Sequence, residues 1–202
     1  PKDLEGKSIG MATSNMPVLQ ALCEINGVDI DKIEVVPTQY DAAPLVSGQV
    51  DCLLCWKTDL PVAMTVAGVE NTVMLLADFG YAVHSQTYIA TEDAIKNDRA
   101  TLLSLLKGEV RGWQDYEKDT DAAAALTVEM FPDSGLDLET QKFQAAAQVG
   151  LMYSELTESK GFGWFTDETV AANIETLGLL GRTVSAELWD RSLLEEVHGN
   201  AL

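Results

Sequence analysis

The chain has 202 residues, a formal net charge of −19 and a hydrophobic content of 47%. This is the composition of a folded globular protein and excludes a disordered chain. The negative charge disfavours nucleic acids and anionic membrane surfaces as partners, because both carry charge of the same sign. No apolar run reaches the roughly 18 residues that a membrane span requires, so the sequence predicts no transmembrane helix.

The first 80 residues alternate short apolar runs with helical stretches. The first helix has an apolar stripe at helical spacing, with Pro17 near its start and Gly27 at its end. Such alternation indicates βαβ units and a parallel, doubly wound sheet. The apolar runs predict strands at 7–11, 33–36, 50–55 and 72–76. Helices are predicted after the first three of them, at 17–27, as a short helix that follows 39–46 and ends near residues 47–48, and at 59–67.

Beyond Tyr81 the sequence is almost wholly helical, apart from one strand predicted at 86–90. Amphipathic helices of this kind need a sheet to cover, and we expect the remaining strands of that sheet to lie upstream of Pro1. Without such strands, the helices after Tyr81 should expose apolar faces or be covered by a partner chain. The predicted helices span 95–116, 122–130, 138–156 with Asp137 as N-cap, and a last stretch from Thr166 to Gly178.

The three cysteines are Cys23, Cys52 and Cys55, and the last two form a C-x-x-C. A redox C-x-x-C usually opens a helix, whose dipole lowers the pKa of the thiol. Here the motif lies in a predicted strand, where residues three apart point to opposite faces. We therefore expect small buried apolar residues, with redox or metal chemistry as the less favoured interpretation.

Five segments of the sequence resemble motifs of the periplasmic solute-binding proteins that serve ABC importers. The resemblance is greatest to the group that binds thiamine-precursor pyrimidines, with the alkanesulfonate, taurine and nitrate binders as relatives. Members of that family carry part of the first lobe ahead of the first motif, so we expect this chain to be a fragment or a trimmed product. The matching segments are Asp3–Gly10, Leu45–Cys52, Gly161–Trp164, Leu177–Gly181 and Leu188–Glu196.

The resemblance implies a fold of the periplasmic-binding-protein type II kind, in which two α/β lobes close on a ligand. Residues 1–80 are then a complete lobe, the second of the binding protein. Residues 81–202 are a hinge strand and the helix-rich returning half of the first lobe. The implied partners are a small-molecule ligand and an ABC transporter permease. The implied location is the periplasm or the cell surface, with a lipid anchor on the preceding segment as one option.

Open α/β sheets bind ligands at the carboxyl ends of their strands, so the residues that follow the strands are the candidate contacts. Thr13, Ser14 and Asn15 precede a helix and can hold an anion or a polar ring substituent. Trp56 can stack on a planar ligand, and Asp59 can accept a hydrogen bond from an amine. The full set predicted to bind ligand is Thr13, Ser14, Asn15, Tyr40, Trp56 and Asp59 after strands, with Tyr81 and His84 at the hinge.

Each candidate also has a purely structural interpretation. Thr13, Ser14 and Asn15 are residue types that cap helices in any protein. Trp56 is equally well explained as a tryptophan at the edge of the core, and a lone histidine such as His84 is more often structural than functional. The sequence does not decide between these interpretations.

The sequence contains none of the G-x-S-x-G, P-loop, G-x-G-x-x-G or H-E-x-x-H motifs. Its two histidines, His84 and His198, are far apart along the chain, which disfavours a zinc site. We therefore predict a binding protein with no catalytic residues, no metal and no cofactor. Two alternatives stay open: a biosynthetic enzyme of the same fold that makes a pyrimidine, and the ligand-sensing effector domain of a regulator.

Overall fold

The computed structural model describes residues 1–199, which form a three-stranded sheet and ten α-helices. The strands β1 (Ser8–Met11), β2 (Glu34–Pro37) and β3 (Cys52–Leu53) are parallel and lie in the order β2-β1-β3. The predicted alternation of strand and helix is confirmed, and the fold is mixed α/β. The first three helices follow the three strands in turn and are α1 (Met16–Asn26), α2 (Ala43–Val46) and α3 (Leu60–Val66).

The second half of the described chain is helical, as the sequence predicts. Its helices are α4 (Glu92–Asn97), α5 (Arg99–Lys118), α6 (Thr120–Met130), α7 (Leu138–Met152), α8 (Glu155–Lys160), α9 (Asp167–Leu179) and α10 (Ser192–His198). The predicted cap of α7 is confirmed, because the Asp137 carboxylate accepts the Thr140 N–H at 2.8 Å. Thr166 caps α9 in the same way, accepting the Thr169 N–H at 3.2 Å.

The described residues divide into two compact units. Unit 1 contains residues 1–83 and 171–185, and unit 2 contains 84–170 and 186 onward. The division therefore falls three residues after the boundary expected at residue 80, and a short C-terminal segment returns to unit 1. The assignment of these regions to the lobes of a binding protein remains a prediction.

The core of unit 1 lies between the central strand and the first helix. Ile9 and Met11 alternate with Gly10 along β1, so their side chains point to the same face of the sheet. Leu19 and Leu22 of α1 pack against them and are at most 5% exposed. Gly27 ends α1 in the left-handed conformation that the sequence predicts at this position, with φ of 61°.

Two predicted strands are absent from the described residues. The segment 72–76 is irregular and runs into a 3-10 turn at Leu76–Phe79, because Leu76 and Phe79 pack against the core instead of joining the sheet. Asn26 fixes this turn by donating from Nδ2 to the Phe79 carbonyl at 3.0 Å. The segment 86–90 pairs with no described strand. It starts at Gln86 in the left-handed region with φ of 58°.

Two helices predicted as continuous are interrupted. The stretch 95–116 divides at Asp98 into α4 and α5, and the stretch 138–156 ends at Met152. Tyr153 is extended, and a reciprocal capping box between Ser154 and Thr157 then begins α8. The cap satisfies the backbone groups of a new helix start, which makes the break favourable despite a helical apolar pattern.

β3 is also shorter than the predicted strand at 50–55 and pairs only through Cys52 and Leu53.

An aromatic cluster around the loop 161–165 organises unit 2. The Phe162 ring lies 6.0 Å from Trp113 of α5 and 5.7 Å from Tyr153, measured between ring centroids. His198 of α10 contacts the same loop, with Nε2 2.9 Å from the Phe162 carbonyl oxygen. Gly161 has φ of 113°, and a Cβ there would overlap the His198 ring. The loop conformation and the helix α10 therefore depend on a glycine at position 161.

Candidate functional site

A small cleft with a cavity volume of ≈ 40 Å³ lies in unit 1 at the carboxyl ends of the three strands. Parallel strands bring their carboxyl ends to one edge of the sheet, so the residues that follow them converge there. In the order β2-β1-β3 the chain crosses from one side of β1 to the other, which is where open α/β sheets bind ligands. The cleft is lined by Met11, Ala12, Asn15, Thr38, Gln39, Tyr40, Asp41, Leu53, Leu54 and Leu60.

The turn after β1 forms one side of this cleft. Residues 13–15 make a 3-10 turn that leads directly into α1. Asn15 lines the cleft, and its side chain makes no capping hydrogen bond with α1. Thr13 and Ser14 are exposed in the same turn but do not line the cleft. Asn15 therefore occupies the N-cap position without a side-chain capping hydrogen bond, and it is one of the residues that line the cleft.

Tyr40 connects the loops that follow β2 and β3. Its hydroxyl accepts the backbone N–H of Trp56 at 3.1 Å. Burial raises the pKa of Tyr40, and the nearby negative charge of Asp59 raises that pKa further, against the effect of the Trp56 N–H. The structure therefore brings together three of the predicted site residues, Tyr40, Trp56 and Asp59, although of these only Tyr40 lines the cleft. Trp56 is 62% exposed, which disfavours the interpretation of a tryptophan packed at the edge of the core.

The two residues predicted at the hinge occupy different surroundings. Tyr81 belongs to unit 1 and packs against its hydrophobic core, where burial raises the pKa of the phenol. His84 belongs to unit 2, and its ring centroid lies 6.0 Å from that of Phe165. Burial lowers the pKa of His84 and so favours the neutral imidazole. Neither residue lines the cleft of unit 1, and a ligand-binding role for either remains a prediction.

Several cleft residues were missed by reasoning from the sequence. Thr38, Gln39 and Asp41 follow β2 on either side of Tyr40 and line the cleft with it. The strand-end rule that selected Tyr40 applies to them equally, so the signal was present in the sequence. Leu60 opens α3, and its place at the cleft follows from the packing of that helix, which no local pattern indicates.

Gly10 allows the strands to approach closely at the base of the cleft. A Cβ at this position would lie 2.7 Å from Cδ2 of Leu53 and 3.0 Å from Cγ2 of Thr38. Both neighbours also line the cleft. A side chain on residue 10 would therefore displace Leu53 or Thr38 and change the shape of the cleft.

Residues 1–123 match the family described as NMT1/THI5 like. The chain belongs to the NMT1/THI5-like family. The match covers the sheet and every residue that lines the cleft, and it confirms the resemblance to a solute-binding family. No curated protein is significantly similar to the chain.

The NMT1/THI5-like family consists mostly of substrate-binding proteins, although THI5 itself is a pyrimidine synthase. The mixed α/β structure with a small parallel sheet is compatible with the periplasmic-binding fold of this family. Family membership therefore supports a role in binding a small molecule. It does not identify the molecule.

One residue of the family-like segment Leu45–Cys52 has a clear structural role. Asp51 accepts the Ser8 backbone N–H at 2.9 Å and the Ser8 hydroxyl at 3.0 Å, both on Oδ2. These hydrogen bonds, with Lys7 3.7 Å away, hold the pKa of Asp51 below its usual value. Asp51 therefore ties the start of β3 to the start of β1, at the end of the sheet opposite the cleft.

The cysteines of this NMT1/THI5-like chain are free. Cys52 packs against the unit 1 core together with Leu54, whereas the pKa of Cys55 is raised by burial and then by the charge of Asp59. Burial also raises the pKa of Cys52, so both thiols are held in the protonated, less reactive form.

Within residues 1–199, no group of three His, Cys, Asp or Glu side chains has the geometry of a metal site. The helices of the same residues include none with the length and apolar character of a membrane span.

Proposed function

We propose that this protein is the extracytoplasmic solute-binding component of an ABC importer, and that it captures a small polar molecule without transforming it. The observation that carries the proposal is the cleft at the carboxyl ends of β1, β2 and β3, whose lining includes the polar residues Asn15, Gln39 and Tyr40. Membership of a family made mostly of substrate-binding proteins supports it.

The groups in and beside the cleft can hold and orient a small molecule. Trp56 does not itself line the cleft, but its backbone N–H donates to Tyr40, which does, and its exposed ring offers a face on which a planar ligand can stack. Asn15 and Gln39 offer amide groups that donate and accept hydrogen bonds. A few directed polar contacts combined with one apolar surface are the usual composition of a small-molecule site. The bound form would then be presented to a membrane permease.

The first test is a thermal-shift panel on the 202-residue chain with an aminopyrimidine, ethanesulfonate, taurine and nitrate. A solute present at 100 times its Kd should stabilise the folded protein by about 2.7 kcal/mol, because it binds the native state alone. Recovery of the stabilising solute unchanged, checked by mass spectrometry, separates capture from the synthase activity that THI5 represents. A panel in which no solute raises the melting temperature would refute the proposal.

Replacing Trp56 by Ala should weaken binding of the stabilising solute by about tenfold, since stacking on an aromatic ring contributes on the order of 1–3 kcal/mol. The change should leave the melting temperature of the unliganded protein nearly unchanged, because the Trp56 side chain is mostly exposed. Phe131→Ala is the matched control, since Phe131 is an exposed aromatic residue of unit 2. Equal affinities of the two variants would place the ligand away from Trp56.

A further inference from the structure

One side-chain amide joins the end of α1 to a distant turn of unit 1. Asn26 is the last residue of α1, and its Nδ2 donates to the Leu22 carbonyl at 2.9 Å and to the Phe79 carbonyl at 3.0 Å. The two bonds use both hydrogens of the amide. The Phe79 carbonyl belongs to the 3-10 turn Leu76–Phe79 and lies 53 positions further along the chain. The Asn26 amide therefore holds this turn against α1.

The turn Leu76–Phe79 brings apolar side chains onto the core of unit 1. Leu76, Phe79 and Tyr81 pack against the buried residues of that core. Gly80 ends the turn so close to α1 that a Cβ there would lie 3.0 Å from Cγ2 of Ile25. None of these residues lines the cleft. The contact between the turn and α1 is therefore a tightly fitted part of unit 1 that is separate from the cleft.

The residue that follows Asn26 makes this amide chemically vulnerable. Gly27 has no Cβ to hinder the approach of its backbone nitrogen to the Asn26 side chain, and no other asparagine of the sequence precedes a glycine. In an Asn-Gly pair the glycine nitrogen can bond to Cγ of the asparagine, while the Cγ–Nδ2 bond breaks and Nδ2 leaves as ammonia with the proton of the glycine nitrogen. Water then opens the resulting succinimide to aspartate or isoaspartate. Asparagine is for this reason a thermolabile residue.

The folded conformation hinders this reaction until the end of α1 opens. The Gly27 N–H donates to the Cys23 and Glu24 carbonyls, and the Asn26 amide is held by its own two hydrogen bonds. The bond from Gly27 to Glu24 is long, at 3.4 Å, and therefore weak. Helix ends also open more readily than the core of a protein. Deamidation at Asn26 therefore proceeds from a locally opened state in which the amide has left the Phe79 carbonyl.

The product of the reaction cannot restore the contact. An aspartate at position 26 has no hydrogen to donate at neutral pH, and its carboxylate would face the carbonyl oxygens of Leu22 and Phe79. Isoaspartate also adds an atom to the backbone, which disrupts the end of α1 at Gly27. Carbonyls that lose their donor, and face a negative charge instead, disfavour the docked turn.

We infer that Asn26 is a site of spontaneous deamidation, and that loss of its amide releases the turn Leu76–Phe79 from α1 irreversibly. The modification requires water and no enzyme. It goes beyond the proposed function, because it changes the packing of unit 1 at residues that do not line the cleft.

Incubation of the full chain at mildly alkaline pH, followed by mass spectrometry of its tryptic peptides, tests the chemistry. Cleavage after Lys7 and Lys32 isolates Asn26 in one peptide, in which fragmentation separates it from Asn15. Aspartate and isoaspartate should accumulate at residue 26, while Asn71, which precedes a threonine, should keep its amide. An isoaspartyl methyltransferase assay detects the isoaspartate form independently. A residue 26 that deamidates no faster than Asn71 would overturn the inference.

Loosening the turn tests whether deamidation depends on opening of this contact. Phe79→Ala removes a side chain that packs the turn onto the core. It should accelerate deamidation of Asn26 by about fivefold, because the rate follows the population of the opened state. Circular dichroism checks that the variant is folded, and wild type in urea below the unfolding transition provides the same comparison if it is not. A rate unchanged under both conditions would show that the contact does not protect Asn26.

Asn26→Asp reproduces the aspartate product and tests its consequence by hydrogen exchange. The Gly80 and Tyr81 N–H groups donate to carbonyls of the turn. Their exchange should accelerate by about tenfold, since the variant loses the hydrogen bond that holds the turn. Gln49→Glu is the matched control, because it makes the same amide-to-carboxylate change at an exposed residue of unit 1 and should leave both rates unchanged. Wild-type exchange rates in Asn26→Asp would show that the amide does not hold the turn.

Discussion

The two compact units bury apolar side chains in different ways. Unit 1 encloses large aliphatic residues between a sheet and a helix, and Leu22 is only 2% exposed. Unit 2 packs helix on helix, and the most buried apolar residues described there are Ala124 of α6 and Ala145 of α7. Large apolar side chains of unit 2 are exposed instead, among them Ile89, Leu105, Leu126, Met130, Phe131 and Leu188.

This difference follows from how much apolar surface a sheet and a pair of helices can each bury. A strand pair presents a continuous face, and Ile9 and Met11 of β1 bury there against α1. Two helices in contact meet along a narrow stripe, so small residues occupy the closest approach and the remaining apolar positions stay at the surface. Unit 2 also contains the aromatic cluster around Phe162 and the loop constrained at Gly161. The candidate cleft is lined entirely by residues of unit 1.

The largest expected effect is in the unit 1 core. Leu22→Ala should lower the free energy of unfolding by about 3 kcal/mol, through lost burial and the cavity that remains. Leu126→Ala is the matched change in unit 2 and should cost no more than about 0.5 kcal/mol, because that side chain is 58% exposed. Urea denaturation followed by circular dichroism measures both. Equal losses would show that Leu126 is buried in the folded protein.

The second effect concerns the loop that organises unit 2. Gly161→Ala should destabilise the protein by about 2–3 kcal/mol, since φ of 113° is unfavourable for alanine and its Cβ would overlap the His198 ring. Gly163→Ala should cost only about 1 kcal/mol, because φ of 79° imposes strain but the nearest side-chain atom, Cδ2 of Leu194, is 3.7 Å away. Denaturant unfolding compares the two.

The double variant Gly161→Ala, His198→Ala separates overlap from strain. Removing the ring should restore part of the stability lost in Gly161→Ala, while the backbone strain persists. A double variant no more stable than Gly161→Ala would show that His198 does not limit the space beside residue 161.

The smallest expected effect is on the pH dependence of stability, which we compare at one carboxylate from each unit. Asp51 and Asp137 both have pKa values lowered by hydrogen bonds from a backbone N–H and a hydroxyl, those of Ser8 and Thr140 respectively. The stability each contributes is present above the pKa of an unfolded Asp, about 3.9, and is lost as the pH falls through the lower folded value. Carboxyl NMR titration should place both transitions below the ordinary Asp range.

Neutralising these carboxylates distinguishes a long-range link from a local cap. Asp51→Asn should lower the urea concentration at the midpoint of unfolding at neutral pH, because Asp51 joins segments 43 residues apart. It should also make this midpoint less sensitive to acidification, because the variant has no carboxylate to protonate at position 51. Asp137→Asn should change the midpoint less, since Asn caps a helix about as well as Asp. An Asp51 resonance that titrates at the ordinary Asp pKa would contradict this role.

Much of the local structure is determined by the sequence alone. Gly27, Asp137 and Thr166 mark helix ends correctly, since a cap depends only on residues within one turn of it. The strand-end rule places Asn15 and Tyr40 at the cleft, because parallel strands must bring their carboxyl ends together. The family resemblance is confirmed by the match over residues 1–123, which contains two of the five motifs, Asp3–Gly10 and Leu45–Cys52.

Tertiary structure alone decides which distant segments meet. The apolar run at 72–76 has the pattern of a strand, yet Leu76 and Phe79 pack onto the core of unit 1. Tyr81, which the sequence predicts at a hinge, also packs against that core, a contact that the local sequence does not indicate. The link from Asp51 to Ser8 and the support of Trp56 by the Tyr40 hydroxyl likewise join residues separated by 43 and 16 positions. Such contacts depend on how whole elements pack, and no local pattern of residues encodes them.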